Sequence, residues 1–387
     1  MRSAGPPSGP AKPGVVEATA PAPVQAAAEG EAVPDAPRPR RPRVEWVDTG
    51  RGIAISLVVL FHSSNWLLGA GAHVRPWVEA NVVVSSLRMP LFFTLAGLFA
   101  GKWVRGAWTA LWHSKIRLYL WVFLVWGAVG SLAYYVGVRM RGTGSFLSNV
   151  LQPYVLSPFV PRLELWFIWA LALFFVVAKL TRRVPVAVQI GVAAVGSAIA
   201  LSGWETASPG WNGSVKYYVF FLVGLHLRDV VLRRGSEARV LPMVGVVALW
   251  AAVAFGLWAA DLREAPGLYF VNCVLGVAAG IAVSRALSRS HVLRDLGART
   301  LPVYLAHTPL IIVTAALLKS WGAVDSPAVA VLGPPLLAAA AIVATLALER
   351  GAKRVGAGWL YEPPAWFDVA ARRRAARASR AATRPGG

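Results

Sequence analysis

The 387-residue chain is 56% hydrophobic, only 15% of its residues are charged, and its formal net charge is +21. Soluble globular domains carry about 25% charged residues, so this composition excludes an ordinary soluble fold. The basic residues lie between long apolar runs rather than on one basic face, which argues against nucleic acid as a partner. A single cysteine, Cys273, excludes an intrachain disulfide and a thiolate metal cluster. We therefore expect a membrane protein that has the lipid bilayer as its partner and no metal site.

The two ends of the chain differ in composition from the middle. Residues 1–45 are rich in proline and alanine and hold no apolar run long enough to enter a bilayer, so a disordered basic tail is expected there. Residues 351–387 mix aromatic and basic side chains, which predicts a cytoplasmic tail that anchors at the membrane interface. Residues 46–350 between them form the predicted membrane domain.

Ten apolar segments of the membrane domain each approach the roughly 20 residues that a helix needs to cross a bilayer. Their runs are continuous rather than alternating, which favours helices over strands. We predict an all-α integral membrane protein, a bundle of about ten transmembrane helices. Most lysines and arginines then flank the cytoplasmic ends if the N-terminus is inside, so both termini are expected in the cytoplasm of a multi-pass plasma (inner) membrane protein. The predicted limits are 47–69, 80–101, 116–138, 163–180, 184–203, 214–233, 240–260, 266–287, 297–319 and 326–349.

The first predicted span carries three ionisable residues, Asp48, Arg51 and His62. At 100° per residue, Arg51 and His62 differ by about 20° around the helix and Asp48 and His62 by about 40°, so all three share one stripe. Arg51 lies about 6 Å and His62 about 22 Å from the cytoplasmic end of the helix. Asp48 and Arg51 could simply cap the helix, but a deep histidine on the same stripe is a candidate functional group.

The second predicted span places Arg88 about 20 Å from its cytoplasmic end, nearly level with His62. A guanidinium at that depth would keep the imidazole neutral, as a general base requires, and could stabilise an oxyanion. Pro90 is expected to kink this helix. Glu164, at the outer end of the fourth span, could balance Arg88 or be a plain interfacial residue.

The ninth predicted span contains Pro302, Tyr304, His307 and Pro309 within one helix. His307 is expected about 12 Å from the cytoplasmic side by the same count. Two prolines free backbone carbonyls, which a membrane helix tolerates where a cavity or water satisfies them. No Walker loop, His-x-x-Glu-His or Gly-x-Ser-x-Gly motif is present. Acid–base chemistry without a covalent intermediate is therefore favoured, with a covalent histidine intermediate as the alternative.

These motifs together resemble the membrane-bound acyltransferase type 3 family. The spacing of Arg51 and His62, with ten residues between them, is similar to that family's arginine–histidine pattern. Ala96 stands where the family commonly has a serine, and the residues just before Arg51 also differ from the family's usual ones. The chain therefore looks like a member of a divergent branch of the family. Four further segments resemble motifs of the family and occur in the same order: Met89–Phe93, Leu165–Ile168, Phe220–Gly224 and Tyr304–Pro309.

The resemblance implies transfer of an acyl group, expected to be acetyl, from cytoplasmic acyl-CoA to a hydroxyl of a cell-envelope glycan or lipid-linked acceptor. By the resemblance, His62 would be the catalytic residue and Arg51 would help to bind or position the donor. The depth count adds Arg88 as the residue that would stabilise the oxyanion. Combined with the depth count, the resemblance predicts a cytoplasmic vestibule in which Asp48, Arg51 and His307 receive the CoA nucleotide. Tyr304 and Glu164 are the other predicted substrate-binding residues.

Two other functions fit the same residues. A proton-coupled transporter or flippase would also place histidine and arginine on facing, kinked helices at mid-membrane. A non-catalytic relative would bind lipid or protein partners of unknown identity. Consumption of acyl-CoA distinguishes the enzyme from both.

Overall fold

The computed structural model describes Gly5 and residues 44–139, 145–161, 164–237 and 239–368. Nearly all of the predicted N-terminal tail therefore lies outside the described residues, and its last residue, Glu45, already belongs to the first helix. Every regular element in the described part of the chain is helical, with no strand.

Sixteen α-helices run through these residues, joined by short turns, π-turns and 3₁₀ turns. They are α1 (Glu45–Ala70), α2 (Arg75–Val83), α3 (Ser85–Gly97), α4 (Gly101–Arg105), α5 (Trp108–Leu111), α6 (Arg117–Arg139), α7 (Gln152–Leu156), α8 (Trp166–Leu180), α9 (Val186–Ala200), α10 (Pro209–His226), α11 (Arg228–Glu237), α12 (Val240–Ala259), α13 (Leu268–Ala286), α14 (His291–Ala298), α15 (Thr300–Ser320) and α16 (Pro327–Arg354).

Six helical stretches of the described chain are long and apolar enough to cross a membrane, so the protein is an all-helical, multi-pass membrane protein. They are α1, the continuous stretch Trp108–Arg139, α12, α13, α15 and α16. The bent pair of α2 and α3 gives a seventh, whereas α8 and α9 are apolar but shorter. Each of the ten predicted segments contains a helix, but only six meet the length and hydropathy that a single crossing requires.

Local signals explain where the helix boundaries depart from the prediction. The predicted second span breaks at Val84, where α2 and α3 meet at 51°, and Pro90 lies inside α3 rather than at the break. The predicted sixth span begins early because Ser208 caps α10 and Pro209 occupies its first position. It ends at His226.

The helix α3 packs closely against α10 and α13 and also contacts α1. A Cβ at Gly97 would lie 2.2 Å from the Phe221 carbonyl oxygen, and one at Gly224 would lie 2.1 Å from that of Thr94. Only glycine allows the backbones of α3 and α10 to approach this closely, as is common between membrane helices. This crossing fixes the position of Arg88, which lies on α3.

The described part of the C-terminal tail packs against the protein. The indole Nε1 of Trp121 donates to the Trp359 carbonyl at 2.6 Å, and that of Trp126 donates to the Leu360 carbonyl at 2.8 Å. Asp368 accepts from Arg117 at 2.9 Å. The aromatic part of the tail is therefore docked on α6, while the side chains of Trp359 and Trp366 stay exposed, so the predicted anchor at the membrane interface stays a prediction. The arginine run at 372–374 lies outside the described residues.

Candidate active site

A cavity of about 210 Å³ lies between the middle of α1, the start of α3 and α8, and parts of α10 and α15. It brings together four of the residues predicted from sequence, namely His62, Arg88, Glu164 and Tyr304. Aromatic rings form much of its remaining wall, including those of Phe61, Trp166 and Tyr217. An apolar cavity with a few convergent polar groups is the usual form of a small-molecule site.

His62 projects from the middle of α1 into this cavity. Its ring meets the ring of His307 edge to face, with centroids 5.1 Å apart, and that of Phe61 at 5.0 Å. No side chain or carbonyl of the described residues hydrogen-bonds to the His62 ring. Its nitrogens are therefore available to accept a proton from a substrate.

His307 is fully buried, and both of its ring nitrogens have partners. The Nδ1 atom lies 2.9 Å from the Val303 carbonyl and 2.8 Å from the Tyr304 carbonyl. Because a carbonyl oxygen can only accept, Nδ1 carries the proton and Nε2 accepts from the Thr308 hydroxyl at 3.1 Å. His307 is thus held in one tautomer and orientation, and it forms a fixed wall behind His62.

Arg88 is only 6% exposed and has no ion-pair partner among the described residues. Its guanidinium lies over the Phe61 ring, 4.3 Å from the centroid, and its Nη1 atom is buried without a hydrogen-bond partner. Glu164 lines the same cavity but makes no ion pair with Arg88, so the proposed charge balance does not form. A buried, unpaired guanidinium is costly and is typical of a site that binds an anion or stabilises developing negative charge.

Tyr304 and Glu164 connect two helices at the cavity wall. The Tyr304 hydroxyl donates to the backbone carbonyl of Glu164, which ties α15 to the residues just before α8. The Tyr304 ring packs against Phe167 with centroids 5.4 Å apart. Tyr304 therefore holds the wall of the cavity in place, and Glu164 is part of that wall.

Asp48 and Arg51 lie away from the cavity, toward the start of α1. Their side chains form an ion pair at 3.6 Å, and the Arg51 guanidinium lies over the Phe99 ring at 5.0 Å. Lys115 is close enough to Arg51 for their charges to interact. The ammonium groups of Lys102 and Lys115 both lie over the Trp103 ring, at 4.7 and 5.7 Å. We call Arg51, Lys102 and Lys115 the basic cluster.

The structure separates His307 from the vestibule in which the sequence placed it. The depth count assumed that the ninth predicted span begins at the membrane surface. In the structure, the residues where that span begins already lie level with the second turn of α1. A Cβ at Gly297 would lie 1.7 Å from the Asp48 carbonyl oxygen, and one at Gly52 would lie 2.1 Å from that of Leu293. Both histidines follow about ten residues after this crossing, so their rings meet at one depth.

Two aromatic residues that line the cavity, Phe61 and Tyr217, escaped the sequence reasoning. Phe61 precedes His62 and provides the ring beneath Arg88, and Tyr217 closes the cavity from α10. Nothing in their spacing separates them from ordinary packing aromatics. Among the described residues, no group of three or more histidine, cysteine or acidic side chains could hold a metal ion.

Comparison with known proteins identifies a family and one relative. A family model described as an acyltransferase domain matches residues 44–349. The inner membrane protein YcfT of Escherichia coli (strain K12) is 21% identical over 287 residues, which cover 69% of this chain and 79% of that relative. No solved structure matches the chain significantly.

Proposed function

The chain belongs to the acyltransferase family whose model matches residues 44–349, and on that premise we propose that it transfers an acyl group from cytoplasmic acyl-CoA to a hydroxyl. The acceptor is a cell-envelope glycan or a lipid-linked hydroxyl compound, and acetyl is the simplest donor group. One observation carries the proposal: the unbonded ring of His62 shares a cavity with the unpaired guanidinium of Arg88.

His62 acts as the general base in this proposal. Its ring nitrogen removes the proton from the acceptor hydroxyl as the oxygen attacks the thioester carbonyl. Arg88 donates hydrogen bonds to the oxygen that becomes negatively charged. When the tetrahedral intermediate collapses, the carbon–sulfur bond breaks and the CoA thiolate takes the proton from His62. The ester is the second product, and the histidine returns to its neutral form.

The basic cluster is the proposed site for the phosphates of CoA. Arg51, Lys102 and Lys115 bring three positive charges to the start of α1, and Trp103 offers an aromatic face between two of them. From Arg51 to His62 the helix rises about 16 Å, a distance that an extended pantetheine arm can span. Asp48 orients Arg51 through its ion pair.

In this proposal the donor enters from the cytoplasm and the acceptor from the opposite side of the membrane. We propose ten membrane crossings with both termini in the cytoplasm of an inner-membrane protein, because most basic residues then flank the cytoplasmic ends. The short helices α8 and α9 would cross a bilayer thinned around the bundle.

Release of CoA from acetyl-CoA tests the proposal. The purified protein in lipid nanodiscs would be incubated with acetyl-CoA, with and without a crude extract of envelope glycans. We expect release that depends on the extract. No release with acetyl, propionyl or longer acyl donors would contradict an acyltransferase and favour a carrier, which solute uptake into proteoliposomes would then identify.

A further inference from the structure

A second group of polar side chains lies at the end of α3 that is remote from the basic cluster. The Arg263 guanidinium, in the turn between α12 and α13, lies over the Tyr269 ring at 4.8 Å. The hydroxyls of Tyr269 and Ser85 are 2.5 Å apart. Asn272 follows Tyr269 by about one turn of α13. We call Arg263, Tyr269, Ser85 and Asn272 the polar cluster.

Several atoms of this cluster are buried without a partner in the part of the chain that the structure describes. Asn272 is 1% exposed, and neither its Nδ2 nor its Oδ1 atom has a hydrogen bond. The Nε atom of Arg263 is also buried and unpartnered, and no described carboxylate lies within ion-pair distance of its guanidinium. Buried polar groups normally have partners, and leaving one unsatisfied costs about 1–3 kcal/mol.

Polar groups that serve helix packing in the same region do have partners. The indole Nε1 of Trp250 donates to the Ser86 hydroxyl at 3.0 Å, which joins α12 to α3. The unsatisfied atoms of Asn272 and Arg263 therefore stand out from their surroundings, and a ligand would satisfy them.

The polar cluster lies close to the cavity around His62. Ser85 precedes Arg88 by one turn of α3, so their side chains share one face of that helix. Tyr217 lines the cavity and is close enough to Arg88, Tyr269 and Arg263 to interact electrostatically with all three. Tyr217 therefore lies near two guanidiniums, those of Arg88 and Arg263, that have no carboxylate partner among the described residues.

We propose that the polar cluster binds the acceptor, and that the acceptor carries an anionic group, a phosphate or a carboxylate, beside the hydroxyl that is acylated. Arg263 pairs with the anion. Asn272 offers both a donor and an acceptor to the hydroxyls of a sugar, and the rings of Tyr269 and Tyr217 cover its apolar face. This inference rests on the proposed transfer reaction and adds the chemical class of its acceptor.

Binding of three matched probes tests the inference independently of catalysis. The probes are hexyl glucoside, hexyl glucuronide and hexyl glucoside 6-phosphate. They differ only at C6 of the sugar, which carries a neutral hydroxyl, is oxidised to a carboxylate, or carries a phosphate ester. Their affinities would be measured by titration calorimetry on the full chain in nanodiscs. We expect at least one anionic probe to bind about tenfold or more tightly than the neutral one, the size of one charge-assisted hydrogen bond.

Variants of Arg263 test whether this residue causes the tighter binding of the anionic probes. Arg263→Gln should remove the preference for the anionic probe without weakening the neutral one, whereas Arg263→Lys should retain part of it. Arg75→Gln removes an exposed charge outside the cluster and should change nothing. Equal binding of all three probes, or a preference that survives in Arg263→Gln, would overturn the inference. The CoA-release assay is read separately, so anion-selective binding without CoA release would refute the transfer reaction and leave the binding site standing.

Discussion

The imidazole rings of His62 and His307 meet edge to face with centroids 5.1 Å apart, yet only His307 has its nitrogens bonded to described residues. Two histidines in contact therefore have different roles. His307 is locked by two carbonyls and the Thr308 hydroxyl, and it limits the positions that the His62 ring can take. Of the two imidazoles, only that of His62 is free of hydrogen bonds to the described residues.

Removal of the Thr308 hydroxyl tests the locking of His307. Thr308→Val keeps the shape of the side chain but leaves Nε2 of His307 buried without a donor, so we expect a loss of about 1–3 kcal/mol in the free energy of unfolding. Thr308→Ser retains a hydroxyl and should stay much closer to wild type. Thermal unfolding of the two variants in the same detergent makes the comparison, and equal Tm values would contradict the lock.

Arg88 should be important for the rate and dispensable for stability. Arg88→Met removes a buried, unpaired charge, so the Tm should stay the same or rise, while kcat/KM should fall by about 10²–10³ with the loss of an oxyanion donor. Arg117→Met is the matched control, because it breaks the ion pair of Arg117 with Asp368 and should lower the Tm. A large drop in Tm for Arg88→Met would make Arg88 a structural residue.

The sequence alone locates His62 and Arg88 well because both lie in regular helices, where depth follows from residue count. The same count misplaces His307, since it assumes that α15 starts at the membrane surface, whereas the α14 crossing at Gly52 and Gly297 sets its start deeper. Such a crossing depends on two segments about 245 residues apart, and no local pattern encodes their contact.

The length of individual helices was harder to predict than their existence. The fourth and fifth predicted spans are helices of only 15 residues, and the second breaks at Val84. Hydropathy measures the apolar run, which includes the turns on either side of a helix. The docking of the C-terminal segment on α6 is not predictable from composition, because aromatic residues are equally suited to the lipid interface and to packing against α6.

The crossing of α3 and α10 provides a test of the fold. Gly224→Ala would place a Cβ about 2.1 Å from the Thr94 carbonyl oxygen, so the helices must separate and unfolding should become easier by about 1–3 kcal/mol. Gly191→Ala is the control, because nothing lies within 4 Å of its Cβ position. That change should be neutral or slightly stabilising. A Tm for Gly224→Ala at or above that of Gly191→Ala would rule out the close crossing.

Substitutions in the basic cluster should weaken the binding of the acyl-CoA donor and leave the binding of the acceptor unchanged. Lys102→Ala and Lys115→Ala each remove one charge beside Trp103, so we expect the KM for acetyl-CoA to rise roughly 3- to 10-fold with little change in kcat. Higher salt should reduce the difference between wild type and variants because it screens exposed charges. Arg233→Ala, at an exposed position on α11, provides the control. An unchanged KM in both lysine variants would move the CoA phosphates elsewhere.

The most direct test of the account is the rate of acceptor-dependent CoA release by wild type and His62→Ala in identical nanodiscs. If His62 is the general base, the variant should retain its Tm and lose about 10²–10⁴ in rate. A His62→Ala rate within twofold of wild type would contradict the account.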